Sequence, residues 1–202
     1  MRTVSCAGSP VATVLDRQDL EDELQALRKE VAMLRLVNAE LERVVVRDTL
    51  TPLYNRRYYI SALNDRIHRS SRHGAEAVAI IIDVNHMKRI NDVHGHPAGD
   101  YALMHVAKLL SQAIRSTDIA ARIGGDEFAL ILDGMNADRG AAKIASLEWL
   151  IQETPCLFGD AELPISASFG CTPISADDSD ATIIARADEA MYEQKRIRRF
   201  GS

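Results

Sequence analysis

The chain has 202 residues, 47% hydrophobic and 26% charged, enough for one domain with a full core plus an extension and too few for a second enzyme domain. Its net charge of −5 excludes nucleic-acid recognition through a broad basic face, though not a small pocket of Lys and Arg for nucleotide phosphates. No apolar run approaches the roughly 20 residues of a membrane span, and Cys6, Cys156 and Cys171 have neither metal-ligand spacing nor an even count for disulfides.

Residues 1–16 contain Gly8-Ser9-Pro10 and no periodicity, so a mobile segment is expected there. With Arg2 as the only early charge and no continuous apolar stretch, no cleaved signal peptide is expected, and the reading is a cytoplasmic protein. Over 17–47 the apolar residues follow a heptad. Leu20, Leu27, Leu34 and Leu41 fall at d, and Leu24, Val31, Asn38 and Val45 fall at a. Glu23 and Glu30 at g then face Arg28 and Arg35 at e of a partner helix, and Asn38 sets register. This predicts a parallel two-stranded coiled coil and hence a homodimer, against the alternative of an amphipathic helix packed on its own domain.

Thr51-Pro52 reads as a helix stop and restart. Beyond it the pattern predicts helix (57–71), strand (77–83), helices (87–93 and 100–114), hairpin strands (119–123 and 127–133), helix (139–153), strand (165–171) and helix (181–196). The fold class is α/β in the α+β sense: a mixed, largely antiparallel sheet flanked by helices over 48–202, preceded by the coiled-coil helix.

The buried run Ala77 to Ile82 ends at Asp83, and a carboxylate at the exposed end of such a strand is a helix cap or a ligand. Gly124-Gly125-Asp126-Glu127 lies between two apolar runs, which predicts a two-residue Gly-Gly turn with both acids opening the second strand. Paired strands bring such acids together, and oxygen ligands of this kind suit Mg²⁺ with substrate phosphates. His86 and His96, with no Cys or further His at ligand spacing, make a poor zinc site. Asn91 and Asp100 around Gly95 and Gly99 are candidates for turn formation, with Asp100 as N-cap of the helix it opens, or for ligand contact.

Several stretches together resemble the GGDEF domain, the catalytic domain of diguanylate cyclases. These are Asp48-Thr49-Leu50-Thr51-Pro52-Leu53-Tyr54-Asn55-Arg56-Arg57, the run from Asp83 through Lys88 and Asn91 to Gly99-Asp100, Gly124 to Phe128, and Ala187 to Lys195 with Arg199. Departures from the family pattern are Pro52 for Gly, Asn85 for Asp, Met87 for Phe and Arg198 for Gly. The resemblance covers 48–199 and implies a nucleotidyl-cyclase-like catalytic domain that condenses two GTP into cyclic di-GMP and two pyrophosphates as a homodimer.

The resemblance implies that Asp83, Asp126 and the Val84 carbonyl hold Mg²⁺ (or Mn²⁺), with Glu127 assisting the second metal or the attacking hydroxyl. Asn91 and Asp100 would bind the guanine edge, where a carboxylate accepts from two donors that adenine lacks. Lys88, Lys195 and Arg199 would neutralise the triphosphate, with His86, Met87, Gly124 and Gly125 lining the substrate. Arg115 and Asp118 stand where the family has its product-inhibition site, for which the helix over 139–153 offers no second arginine beyond Arg139. The alternative is a silent receptor for GTP or cyclic di-GMP, which would leave the metal acids unused.

Overall fold

The computed structural model describes residues 17–44, 46–73 and 76–200, with side chains over 20–38, 41, 46–70 and 76–196. The expectation for residues 1–16, the a position Val45 and the side chain of Arg199 lie outside these. The chain forms two units, dividing between Val45 and Val46.

The first unit contains helix α1 (Arg17–Val44). Its seam residues Leu20, Leu24, Leu27, Val31, Leu34 and Leu41 are all about half exposed in the single chain.

The second unit begins with a loop in which Asp48 N donates to Leu53 O and Asn55 N to Val46 O. In chain order it then contains β1 (Tyr54–Asn55), α2 (Arg56–His73), β2 (Ala77–Val84), α3 (Met87–His94), α4 (His96–Ala113), β3 (Ile119–Arg122) and β4 (Glu127–Asp133). There follow α5 (Ala137–Glu153), β5 (Cys156–Phe158), β6 (Ala161–Leu163), β7 (Ala167–Pro173) and α6 (Asp180–Phe200). The main sheet runs β1-β3-β4-β2-β7, with β1 parallel to β3 and the other neighbours antiparallel; β5 and β6 form a separate hairpin.

The continuous apolar character of β2 follows from its central place, covered on both faces. Val78, Ile80, Ile82 and Val84 pack with Leu103, Val106 and Leu110 of α4 and Leu147 and Ile151 of α5. Ala79 and Ile81 pack with Tyr59, Leu63 and Ile67 of α2 and Ile183, Ala187 and Met191 of α6. Gly170 lets α6 lie directly on β7, since a Cβ there would overlap the Ala187 carbonyl. Gln194 adds a clamp, its Oε1 accepting from Phe169 N at 2.7 Å and its Nε2 donating to Glu148 Oε1 at 2.6 Å.

The helix expected over 57–71 runs Arg56–His73, with Asn55 Oδ1 accepting from Tyr58 N to cap it. Three local expectations change. Helix α4 starts at His96 after Gly95 at φ 84, so Asp100 is one turn inside the helix and is not its N-cap. Ile123 N donates to Glu127 O at 2.9 Å, making the hairpin turn three residues, Gly124-Gly125-Asp126, with Asp126 in the turn itself. Strands β1, β5 and β6, of two or three residues each, were not foreseen.

Candidate active site

The adjoining ends of β2 and β4 hold the acids. Asp83 pairs with Glu127 across the ladder and with Ser168 on the other side, while Val84 N donates to Asp126 O at 3.0 Å. Residues directly opposite each other in an antiparallel pair project to the same face of the sheet, which puts the side chains of Asp83 and Glu127 on one face. Asp83 and the adjacent pair Asp126-Glu127, far apart in sequence, thus come to the same end of the sheet.

Lys195 of α6 reaches this edge, its Nζ lying 2.7 Å from Asp83 Oδ1, with the two side chains 34% and 22% exposed. Asn85 sits beside them, its Nδ2 donating to Ser166 Oγ at 3.2 Å and its Oδ1 accepting from Ser168 Oγ at 3.0 Å. Asn85 therefore takes part in a hydrogen-bonded polar edge where a second Asp would stand in the family pattern. The Glu127 carboxylate folds over Gly124, where a Cβ would overlap its Oε2. Neither Gly124 nor Gly125 has a positive φ, so a side chain at 124 would meet the Glu127 side chain, whose flexible end would have to move.

The hairpin tip is tied down from behind. Arg122 Nη2 and Nε donate to Gly125 O at 2.7 and 3.2 Å, and its Nη1 lies 3.3 Å from Asp48 Oδ1. The same Asp48 oxygen accepts from Leu50 N, Thr51 N and Thr51 Oγ1. Burial would raise the Asp48 carboxyl, but the Thr51 hydrogen bonds and the Arg122 charge outweigh it and hold its pKa below the usual value. The sequence offered Asp48 as part of a motif and said nothing of Arg122, whose partners lie at the loop and the turn.

Asn91 of α3 packs its amide against Gly99 of α4, where a Cβ would overlap Asn91 Oδ1, and the next residue, Asp100, is exposed. The two expected guanine contacts therefore share the α3–α4 junction. Lys88 and His86 are exposed, whereas Met87 is buried in the core. Only its position at the start of α3 adjoins the site.

The residues fit a divalent cation. An ammonium, that of Lys195, already stands against Asp83, so the edge is a place built for positive charge. Among the described residues no three His, Cys, Asp or Glu side chains converge on one point, so the expected set of Asp83, Val84, Asp126 and Glu127 is not a closed cage. Mg²⁺ needs only one or two carboxylates when substrate phosphates complete its shell.

On the opposite edge, Asp118 is buried, its Oδ2 accepting from Arg115 N at 2.9 Å and its Oδ1 from Asp133 N at 3.2 Å. One oxygen thus caps its own turn, a role open to any Asp there, and the other ties that loop to the end of β4. A cavity of about 380 Å³ adjoins it, lined by Arg66 and Arg69 of α2 together with Asp118 and Asp133. Arg66 pairs with Asp133. Arginines thus reach this cavity from α2, where the sequence reading had looked to the 139–153 helix.

A family model described as diguanylate cyclase, GGDEF domain, matches residues 45–200. The chain belongs to this family. Among curated relatives of this GGDEF chain, diguanylate cyclase A of Treponema denticola is 31% identical over 82% of the chain and 46% of its own length. Diguanylate cyclase TpbB of Pseudomonas aeruginosa is 32% identical over 93% of the chain and 44% of its own length. The chain spans less than half of these relatives. Among solved structures, the diguanylate cyclase SiaD of Pseudomonas aeruginosa in complex with its activator SiaC superposes with a TM-score of 0.72 at 30% identity, covering 89% of this chain and 69% of SiaD. The coiled coil and GGDEF domain of DgcB from Caulobacter crescentus, in complex with cyclic di-GMP, gives 0.72 at 27% identity, covering 88% and 94%. These structures share the mixed, largely antiparallel sheet flanked by helices.

Proposed function

We propose that this protein is a diguanylate cyclase that condenses two GTP into cyclic di-GMP with release of two pyrophosphates. The observation that carries the reading is the edge where Asp83 pairs with Glu127 and Asp126 adjoins Val84, with Lys195 reaching Asp83 from α6. Each GTP 3′-hydroxyl attacks the α-phosphorus of the other nucleotide. The new 3′-O–P bond forms as the bond to the β-phosphate oxygen breaks, pyrophosphate leaves, and the hydroxyl proton passes to base or solvent.

Asn91 and Asp100 orient guanine by accepting from its N1-H and N2-H₂, and Asp100 selects GTP over ATP. Lys195, Lys88 and Arg199 balance triphosphate charge. Asp83, Asp126, Glu127 and the Val84 carbonyl are the groups to hold Mg²⁺, or Mn²⁺ in its place. A metal ion bound there polarises phosphate, lowers the hydroxyl pKa and stabilises the leaving oxygen. The hairpin ties from Arg122 keep the acids in place.

One domain offers half of the cyclic product's site, so two must face each other. The exposed seam of α1 supports a parallel coiled-coil homodimer that delivers them, with residues 17–47 as stalk and 48–202 as catalytic domain. Residues 1–16 remain a segment outside both. Product inhibition is assigned to Arg115 and the Asp118 loop, with Arg66 and Arg69 of the adjoining cavity as further phosphate partners. No helix among the described residues is long and apolar enough to cross a membrane, and we place the protein in the cytoplasm, where its substrate GTP is found.

The test uses the full chain stripped of nucleotide, given GTP and Mg²⁺, with products separated by chromatography and identified by mass. Cyclic di-GMP that disappears in Asp126→Ala supports the reading. A folded dimer that binds GTP or cyclic di-GMP and makes no product would replace it with the receptor reading.

A further inference from the structure

A second concavity lies on the far side of α3 from the α3–α4 junction. It has a volume of about 520 Å³ and contains none of Asp83, Asn91, Asp100, Asp126 or Glu127, sharing only His86 with the residues expected to line the substrate. One wall is His86, Arg89, Ile90, Val93 and His94. Their spacing of i, i+3, i+4, i+7 and i+8 makes a single helix face, the pattern that normally meets a core. Here Ile90 serves the core while also bordering the cleft, and Val93 one turn on is left 66% exposed. The facing wall comes from the end of α5 and the β5–β6 hairpin, with Ile151, Pro155, Leu163, Pro164 and Ile165 as its apolar surface.

The charged groups on these walls are set apart. Arg89 stands on α3 beside the imidazoles of His86 and His94, and Glu162 is the single carboxylate, on the opposite wall. No hydrogen bond or ion pair holds the Arg89 guanidinium among the described residues. His86 is the sole described non-glycine residue with positive φ, at φ 61 and ψ 21. It occupies the N-cap of α3 without making a side-chain cap hydrogen bond. A residue in that conformation that gains no cap is an uncommon choice, and backbone strain of this kind gathers at ligand sites. Volume, apolar lining and a few convergent polar groups are those of a small-molecule site.

We propose that this cleft binds a small amphipathic organic anion, an apolar body carrying one carboxylate, sulfonate or phosphate that meets Arg89, and that its occupancy positions α3. The apolar body lies between Val93 and Ile90 on one side and Pro155 and Pro164 on the other. Helix α3 has only eight residues, and its opposite side carries Asn91 against Gly99. A ligand that bears on one side of so short a helix moves the amide on the other. This coupling, unlike the binding itself, rests on the cyclase reading, and linkage makes it reciprocal: the ligand changes GTP affinity by the factor by which GTP changes the ligand's.

The probe is anilinonaphthalene sulfonate, an aryl body with one sulfonate, titrated by fluorescence into the full chain with and without a non-hydrolysable GTP analogue. Arg89→Glu and Val93→Asp change exposed side chains, and circular dichroism checks that both variants stay folded. The expected result is a saturable site weakened at least tenfold by either variant and unchanged by Trp149→Ser, an exposed apolar residue outside the cleft. The analogue should shift the probe's affinity. Equal probe binding by wild type and both variants would overturn the site. Probe binding that needs Arg89 but ignores the analogue, in a protein shown to bind that analogue, would overturn the coupling. Failure to bind the analogue at all would count against the cyclase reading and leave the cleft decided by the variants.

Discussion

Replacing Lys195 by Met removes the one cation that touches Asp83 among the described residues and keeps the aliphatic stem. At 2.7 Å the pair is a direct hydrogen-bonded ion pair, but with side chains 34% and 22% exposed it is neither fully solvated nor buried. Exposed pairs contribute about 0.2–1 kcal/mol and breaking a buried one costs about 3–5. A figure near 1 kcal/mol is therefore expected after solvent screening, or a fall in Tm of about 2–4 °C for a chain of this size. The same change leaves Asp83, paired with Glu127 across the ladder, without its ammonium, so a divalent cation no longer competes with Lys195. Its affinity in the absence of nucleotide should rise by about fivefold, the equivalent of about 1 kcal/mol. The assays are thermal unfolding with and without Mg²⁺, and Mn²⁺ binding followed by electron paramagnetic resonance. Lys195→Met should lose stability without metal and recover it with metal. A variant that binds Mn²⁺ no better than wild type would refute the idea that Lys195 holds the cation's place.

Gly170→Ala puts a methyl group into the Ala187 carbonyl and should lift α6 from β7, lowering stability by about 1–3 kcal/mol in urea unfolding. In Gly99→Ala the clash is with the flexible end of Asn91, so the fold should hold, while GTP affinity falls by roughly tenfold, as for one lost hydrogen bond; isothermal titration reads it. Because the folded pKa of Asp48 is depressed, its contribution is complete above about pH 4 and is lost as pH falls through the folded pKa. Asp48→Asn should flatten that acid limb of a stability-versus-pH series. His105 is held below its ordinary pKa chiefly by burial, with Lys108 adding to this and a backbone hydrogen bond at Thr154 opposing it. Its contribution is complete above about pH 6.5 and declines below that, and His105→Gln should remove this slope from chemical unfolding between about pH 7 and 5. Burial pushes the thiols of Cys156 and Cys171 up to about 11, so both should react slowly with a disulfide reagent at neutral pH until the chain unfolds.

Much of the layout is local information. The apolar run of β2, the hairpin glycines and the helical periodicity of α4 and α5 are each legible within a dozen residues, because burial on two faces or on one helical stripe leaves a period in the sequence. The acids Asp83, Asp126 and Glu127 stood out for the same reason: each interrupts or closes an apolar run. What lacked a local signal went unseen. Strands of two or three residues carry too little pattern, and Gly95 rather than Asp100 opens α4 because the chain turns there at a positive φ.

The composition and periodicities were sufficient to predict a mixed, largely antiparallel sheet domain with a helix before it, and the motifs sufficient to name its family. Only tertiary structure decided which groups answer to one another. Lys195 and Asp83 are 112 residues apart and meet because Gly170 lets α6 sit on β7. Arg122 holds both Asp48 and the Gly125 carbonyl because β3 ends beside the leading loop. Asp118 joins its own loop to the end of β4, and the arginines near it come from α2. Contacts of that kind are set by sheet order and close packing, which no short-range period encodes.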